Sequence, residues 1–225
     1  MKKILMIVTS HEDMERTKSK TGLWIGEFTE PYYVFKERGF EVEIASPKGG
    51  QPPIDPMSML TKNITAANRK FKKDPKAQLA LENTHRLEGI RADEFDALFL
   101  PGGHGPMWDL ATDEKSGKLI LDFVNQGKFV GAICHGPAAL LKAEELQPGL
   151  LNGKRITGFS DFEEALAFRK NNIPYSLEKR LKAAGARYHK SAFPFASHTE
   201  KDDWLITGQN PMAAGPAAVL LAEAI

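Results

Sequence analysis

The run Lys3 to Thr9 (KILMIVT) is apolar without alternation, which is the pattern of a strand buried on both faces of a parallel sheet. The pattern recurs, each time separated by a helical stretch. Phe28 to Arg38 reads as a helix ended by Gly39, and Glu41 to Ala45 as the next strand. Ala97 to Leu100 reads as a strand closed by Pro101-Gly102-Gly103, and Lys115 to Gln126 as a helix stopped at Gly127. Lys128 to Ile133 is then a strand. Arg155 to Thr157 and Trp204 to Thr207 read as further strands, and a last helix follows Pro211. Such β-α alternation calls for a mostly parallel sheet with helices on both faces, an α/β/α sandwich.

Residues 48–84 break the rhythm. They hold four prolines and mixed polarity, and read as an insertion of short helices with no core pattern of its own. One domain over residues 1–225 is therefore expected. The formal net charge of +1 is too small to hold a nucleic acid across the surface. The one basic cluster, Arg69, Lys70, Lys72, Lys73 and Lys76, is broken by Phe71 and Pro75 and reads as a solvated face. The apolar run behind Lys2-Lys3 is only a strand long, so neither a signal peptide nor a membrane span is expected. A single cysteine excludes an internal disulfide and a Cys-rich metal centre; no metal site is assigned and a cytoplasmic location is expected.

That cysteine carries the best functional signal. Gly131-Ala132-Ile133-Cys134-His135-Gly136-Pro137 follows a strand and precedes a helical run from Ala138. Small residues flank a nucleophile at a strand-to-helix bend because larger side chains would collide there. The helix start behind Cys134 aims partial positive charge and backbone N–H groups at the sulfur. His135, adjacent on the bend, can face the same cavity and move protons. A lone cysteine is more often a small buried hydrophobe, but this context favours a nucleophile.

AICHGP after a strand, LPGGHG at 100–105 and TGQNP at 207–211 together resemble the ThiJ/PfpI superfamily, and TGLWIGE at 21–27 resembles its branch of glutathione-independent glyoxalases and heat-shock chaperones. The resemblance runs from about residue 3 to the C-terminus. It implies a flavodoxin-like fold, no cofactor, a small 2-oxoaldehyde such as methylglyoxal as substrate, and a homodimer. It also implies Glu27 as a carboxylate against the sulfur and Glu164, in GFSDFEE, as the acid orienting His135, with Glu163 as its competitor. Pro31, four residues beyond Glu27, is expected to kink the helix or delay its start. The Gly103 and His135 N–H groups are expected to form an oxyanion hole in the tight turn at Gly102-Gly103, with His104 lining the pocket or serving structure.

Other functions fit parts of the chain. His198-Thr199-Glu200 has the form used by glutamine amidotransferases with a similar architecture. Release of glycation adducts, holdase chaperone action and thiol oxidation sensing use the same elbow or none of it. Ala213 and Ala214 stand where relatives often carry a serine, and Tyr188 to Glu200 is longer than in some relatives, where it would reshape the pocket rim.

Overall fold

The computed structural model describes residues 1–15 and 17–225. Its strands and helices follow one another as β1 (Lys3–Ile7), α1 (Ile25–Glu37), β2 (Glu41–Ser46), α2 (Ala66–Phe71), α3 (Pro75–Glu82) and β3 (His85–Arg86). Then come β4 (Ala97–Leu100), α4 (Glu114–Asn125), β5 (Phe129–Ile133), α5 (Ala139–Leu146), β6 (Arg155–Ile156), α6 (Asp161–Leu166) and α7 (Leu177–Ala183). The chain closes with β7 (Arg187–Tyr188), β8 (Thr199–Asp202), β9 (Leu205–Gly208) and α8 (Ala214–Ala224).

Seven strands form one sheet in the order β3-β2-β1-β4-β5-β9-β8, parallel throughout except for the antiparallel edge strand β8. Successive residues of β1 feed opposite faces, as the pleat requires. Ile4 and Met6 join Phe28, Phe35 and Leu221 under α1 and α8, whereas Leu5 and Ile7 join Leu119, Phe123 and Leu140 under α4 and α5. The unbroken apolar run of β1 thus supplies two cores, and the three-layer α/β/α sandwich expected from the alternation is the fold observed.

Three features differ from expectation. Helix α1 begins at Ile25 rather than Phe28 and runs through Pro31. An interior proline costs about 3 kcal/mol, and burial of Phe28, Tyr32 and Phe35 along the same helix outweighs it. Strand β6 leaves the main sheet and pairs with β7 as a separate two-stranded ribbon. Strand β8, short and polar, carries too little apolar pattern to read as a strand, yet it closes the sheet edge against β9. Residues 48–84 contain two 3₁₀ turns, α2 and α3, and Ala77 and Leu81 pack into the core beneath α1. No helix among the described residues is long and apolar enough to cross a membrane.

Candidate active site

Three loops meet at the carboxyl ends of β4 and β5, beside the start of α1. The turn after β4 comes first. Gly103 has φ +86°, and a Cβ there would lie 2.2 Å from the Gly22 carbonyl oxygen. A Cβ on Gly102 would lie 2.7 Å from both Glu27 Oε2 and the His135 nitrogen. Two bare glycines therefore let the first turn of α1 press against the bend after β5.

Cys134 forms that bend, with φ +56°. A non-glycine residue held in the left-handed region costs roughly 1–2 kcal/mol. It is held from both sides: the Cys134 N–H donates to the Gly208 carbonyl on β9 at 2.8 Å, and the Cys134 carbonyl accepts from the Phe159 N–H at 2.9 Å. The thiol is only 4% exposed. Its Sγ lies 3.3 Å from His135 Nδ1, and His135 Nε2 lies 2.5 Å from Glu164 Oε1.

The acids divide by role. Glu164 is the histidine's partner. Glu163 points the other way and accepts five hydrogen bonds: from the Ser160 N–H and hydroxyl, the Gln209 and Asn210 amides, and the Phe195 N–H. Ser160 and Glu163 close a capping box at the start of α6. That box was legible in the sequence as Ser160-Asp-Phe-Glu163 and assigns Glu163 to the helix end, which leaves Glu164 for His135. The parts played by Gln209 and Asn210, inside the TGQNP segment, had no such local signal.

His104 also donates to Glu164, its Nε2 lying 3.1 Å from Oε1. The two imidazoles pack at a tilt of 35° with centroids 4.1 Å apart, and His104 Nδ1 is buried with no hydrogen-bond partner among the described residues. Glu27 is fully buried, accepts the Gly102 N–H at 2.8 Å through Oε2, and lies against the Cys134 thiol, while its Oε1 has no hydrogen-bond partner among the described residues. The Gly102 N–H is thus engaged by Glu27. His198, the amidotransferase-like candidate, stands 3.1 Å from Glu200 at the base of the edge strand. Ala213 and Ala214 are core residues, Ala213 packed tightly beside Gly208. In the Tyr188 to Glu200 segment, Phe195 meets Phe159, whose ring lies 4.9 Å from His135, so the segment does form part of the rim.

Burial sets the electrostatics. It pushes the Glu27 carboxyl up to about 8, against the pull of its bonds to Cys134 and Gly102. The Cys134 thiol is pushed up by burial and by any charge on Glu27; a neutral Glu27 removes the second cause. Burial and the neighbouring His104 hold His135 below the usual histidine range. Burial opposes ionisation of Glu164, but the His135 and His104 imidazoles bonded to it override burial and hold the carboxyl well below its usual range. The resulting state is a neutral His135 whose Nε2–H points at an ionised Glu164 and whose Nδ1 is free to take a proton from sulfur. Two cavities lie apart from Cys134: one of 230 Å³ is walled by Ile25, Ile54, Phe71 and Leu81, another by Ser10 to Asp13 and Lys48.

A thiol on a left-handed bend at the carboxyl ends of a parallel sheet, backed by an imidazole and a carboxylate, defines the class of α/β proteins built around a nucleophile elbow. The chain belongs to the DJ-1/PfpI family, whose model matches residues 21–223. It is 29% identical over 234 residues to the glutathione-independent glyoxalase HSP31 of Saccharomyces cerevisiae, covering 100% of this chain and 98% of that one. A solved structure, the Francisella tularensis Rapid Encystment Protein 24 KDa, superposes with a TM-score of 0.92 at 36% identity, covering 99% and 98% of the two chains. Glyoxalase III of Candida albicans superposes with a TM-score of 0.89 at 26% identity, covering 100% and 97%.

Proposed function

We propose that the protein is a cysteine-dependent, glutathione-independent glyoxalase that converts methylglyoxal and related 2-oxoaldehydes to 2-hydroxy acids. The observation that carries this is the relay Sγ–Nδ1–Nε2–Oε1, with spacings of 3.3 and 2.5 Å, and the buried Glu27 carboxyl against the same thiol. Two proton-handling groups around one thiol are what an internal redox isomerisation needs, because a hydrogen must leave one carbon and reach its neighbour. The similarity to two glyoxalases along nearly their full length supports the same reaction.

In this reading Cys134 adds through sulfur to the aldehyde carbon while its proton passes to His135 Nδ1. The His135 N–H, with the Gly103 N–H beside it, holds the developing oxyanion. The hydrogen on C1 of the hemithioacetal is then removed as a proton, giving an enediol, and a proton returns to C2. The product is a lactoyl thioester. Water cleaves it, releasing lactate and restoring the thiol, so the net change is addition of one water to methylglyoxal. His135 and Glu27 carry the protons, and Glu164 keeps the His135 ring in the required tautomer. The expected setting is the cytoplasm, the expected unit a homodimer, and residues 1–225 one domain with an insertion at 48–84. The test is lactate formation from methylglyoxal without glutathione: Cys134→Ala reduces it to the uncatalysed rate, and full turnover by that variant sinks the mechanism.

A further inference from the structure

We propose that His104, His135 and Glu164 form a divalent transition-metal site, suited to zinc, whose occupation turns the thiol site off. One donor atom from each of the three lies within 4.8 Å of the others, and all three side chains are buried. They come from three separate parts of the chain: the turn after β4, the bend after β5, and α6. Glu164 Oε1 already stands 3.1 Å from His104 Nε2 and 2.5 Å from His135 Nε2. Tetrahedral zinc with ligands at about 2.0–2.2 Å spaces them roughly 3.3 Å apart, so modest spreading of the cluster admits the ion. Two imidazoles and one carboxylate select zinc and its neighbours over magnesium or calcium, which take oxygen ligands.

The tautomers give the site its consequence. Without metal, both Nε2–H groups donate to Glu164. A metal on Nε2 drives each ring proton to Nδ1. For His104 no bond is lost at Nδ1, because that buried nitrogen has no partner among the described residues. Nothing therefore fixes this ring in its metal-free tautomer except Glu164 itself, which becomes a ligand. For His135 the exchange reverses a function. Its Nδ1, 3.3 Å from the sulfur, turns from acceptor to donor and no longer takes the thiol proton. Neither of the neighbouring buried acids competes for the ion: Glu163 is engaged by its five donors, and Glu27 lies against the sulfur.

Binding does not depend on the glyoxalase reading, whereas the loss of activity rests on it, so the two are measured apart. Zinc is titrated calorimetrically into the chelator-treated full-length protein without substrate, using wild type, Cys134→Ser and His104→Ala. The expected result is one zinc per chain, retained in Cys134→Ser and weakened about 100-fold or more in His104→Ala, since losing a ligand exceeds the loss from an outer partner. Absence of zinc binding overturns the proposal, as does binding lost in Cys134→Ser or kept in His104→Ala. Cobalt(II) on the wild type provides a test that needs no variant. Tetrahedral ligand-field bands without a sulfur-to-metal charge-transfer band support the site, and a sulfur band places the metal on Cys134 and overturns it. Lactate formation, where present, should fall with zinc occupancy and return with EDTA; activity unchanged at full occupancy overturns the switch.

Discussion

Glu163 and Glu164 are neighbours with the same chemistry, and they should fail in opposite ways. Glu163→Ala removes an acceptor of five hydrogen bonds, all to donors that the fold keeps from water or nearly so. At roughly 1 kcal/mol for each donor left without a partner, the loss is about 5 kcal/mol. For a chain of this size 1 kcal/mol moves the midpoint by about 2–4 °C, so the transition should fall by roughly 10–20 °C. Glu164→Gln keeps an oxygen for His135 but replaces a charge with an amide facing His104. Its melting temperature should move by only about a quarter as much, while lactate formation falls by roughly 100-fold or more, the usual worth of a positioned acid–base partner. Thermal denaturation followed by circular dichroism and a lactate assay on the same preparations decide the matter. A Glu163→Ala midpoint within about 3 °C of wild type would show that the five bonds do not clamp the site as argued.

Folding stability should also report on Glu27. Its folded pKa, about 8, lies above the ordinary carboxyl value of 4.5, so the folded state binds the proton more tightly. Stability therefore falls as pH rises from about 4.5 to 8, by up to about 1.4 kcal/mol per unit, and levels off above. Glu27→Gln should remove that slope when urea unfolding is compared with wild type across the range; parallel curves for the two proteins would refute the burial argument. Gly103→Ala places a Cβ 2.2 Å from the Gly22 oxygen in a left-handed turn. It should lose at least about 2 kcal/mol in urea unfolding, the strain alone accounting for half of that. His198→Ala should leave lactate formation within about 2-fold of wild type, as befits a residue at the sheet edge; a large loss would bring the amidotransferase-like arrangement back.

Much of this was visible in the chain before any coordinates. The unbroken apolar run of β1 specified a two-sided sheet, and the glycine-flanked cysteine specified the bend, because both follow from local sterics and periodicity. Helix α1 was harder: Pro31 argued for a late start, and only the packing of Phe28, Tyr32 and Phe35 against the sheet shows why the helix tolerates it. Strands β7 and β8 have four residues or fewer, too few for a period to register, and without β7 the departure of β6 from the main sheet had no signal. The Glu163 clamp joins positions 32 to 47 residues apart, which no local pattern encodes. The second imidazole on Glu164 was equally hidden, since His104 and Glu164 are 60 positions apart.

The bonds that Cys134 and Glu163 make to β9 and the residues after it impose an order of events during synthesis. The bend at Cys134 is fastened to Gly208, and the helix bearing Glu164 is fastened to Gln209 and Asn210. A nascent chain emerging from the ribosome exposes its cysteine some seventy residues before those fasteners exist. Until they arrive, nothing compels the strained bend or sets the acid behind the imidazole, and the thiol is an ordinary one. Reactivity is thus withheld from the growing chain and conferred when its last strand docks.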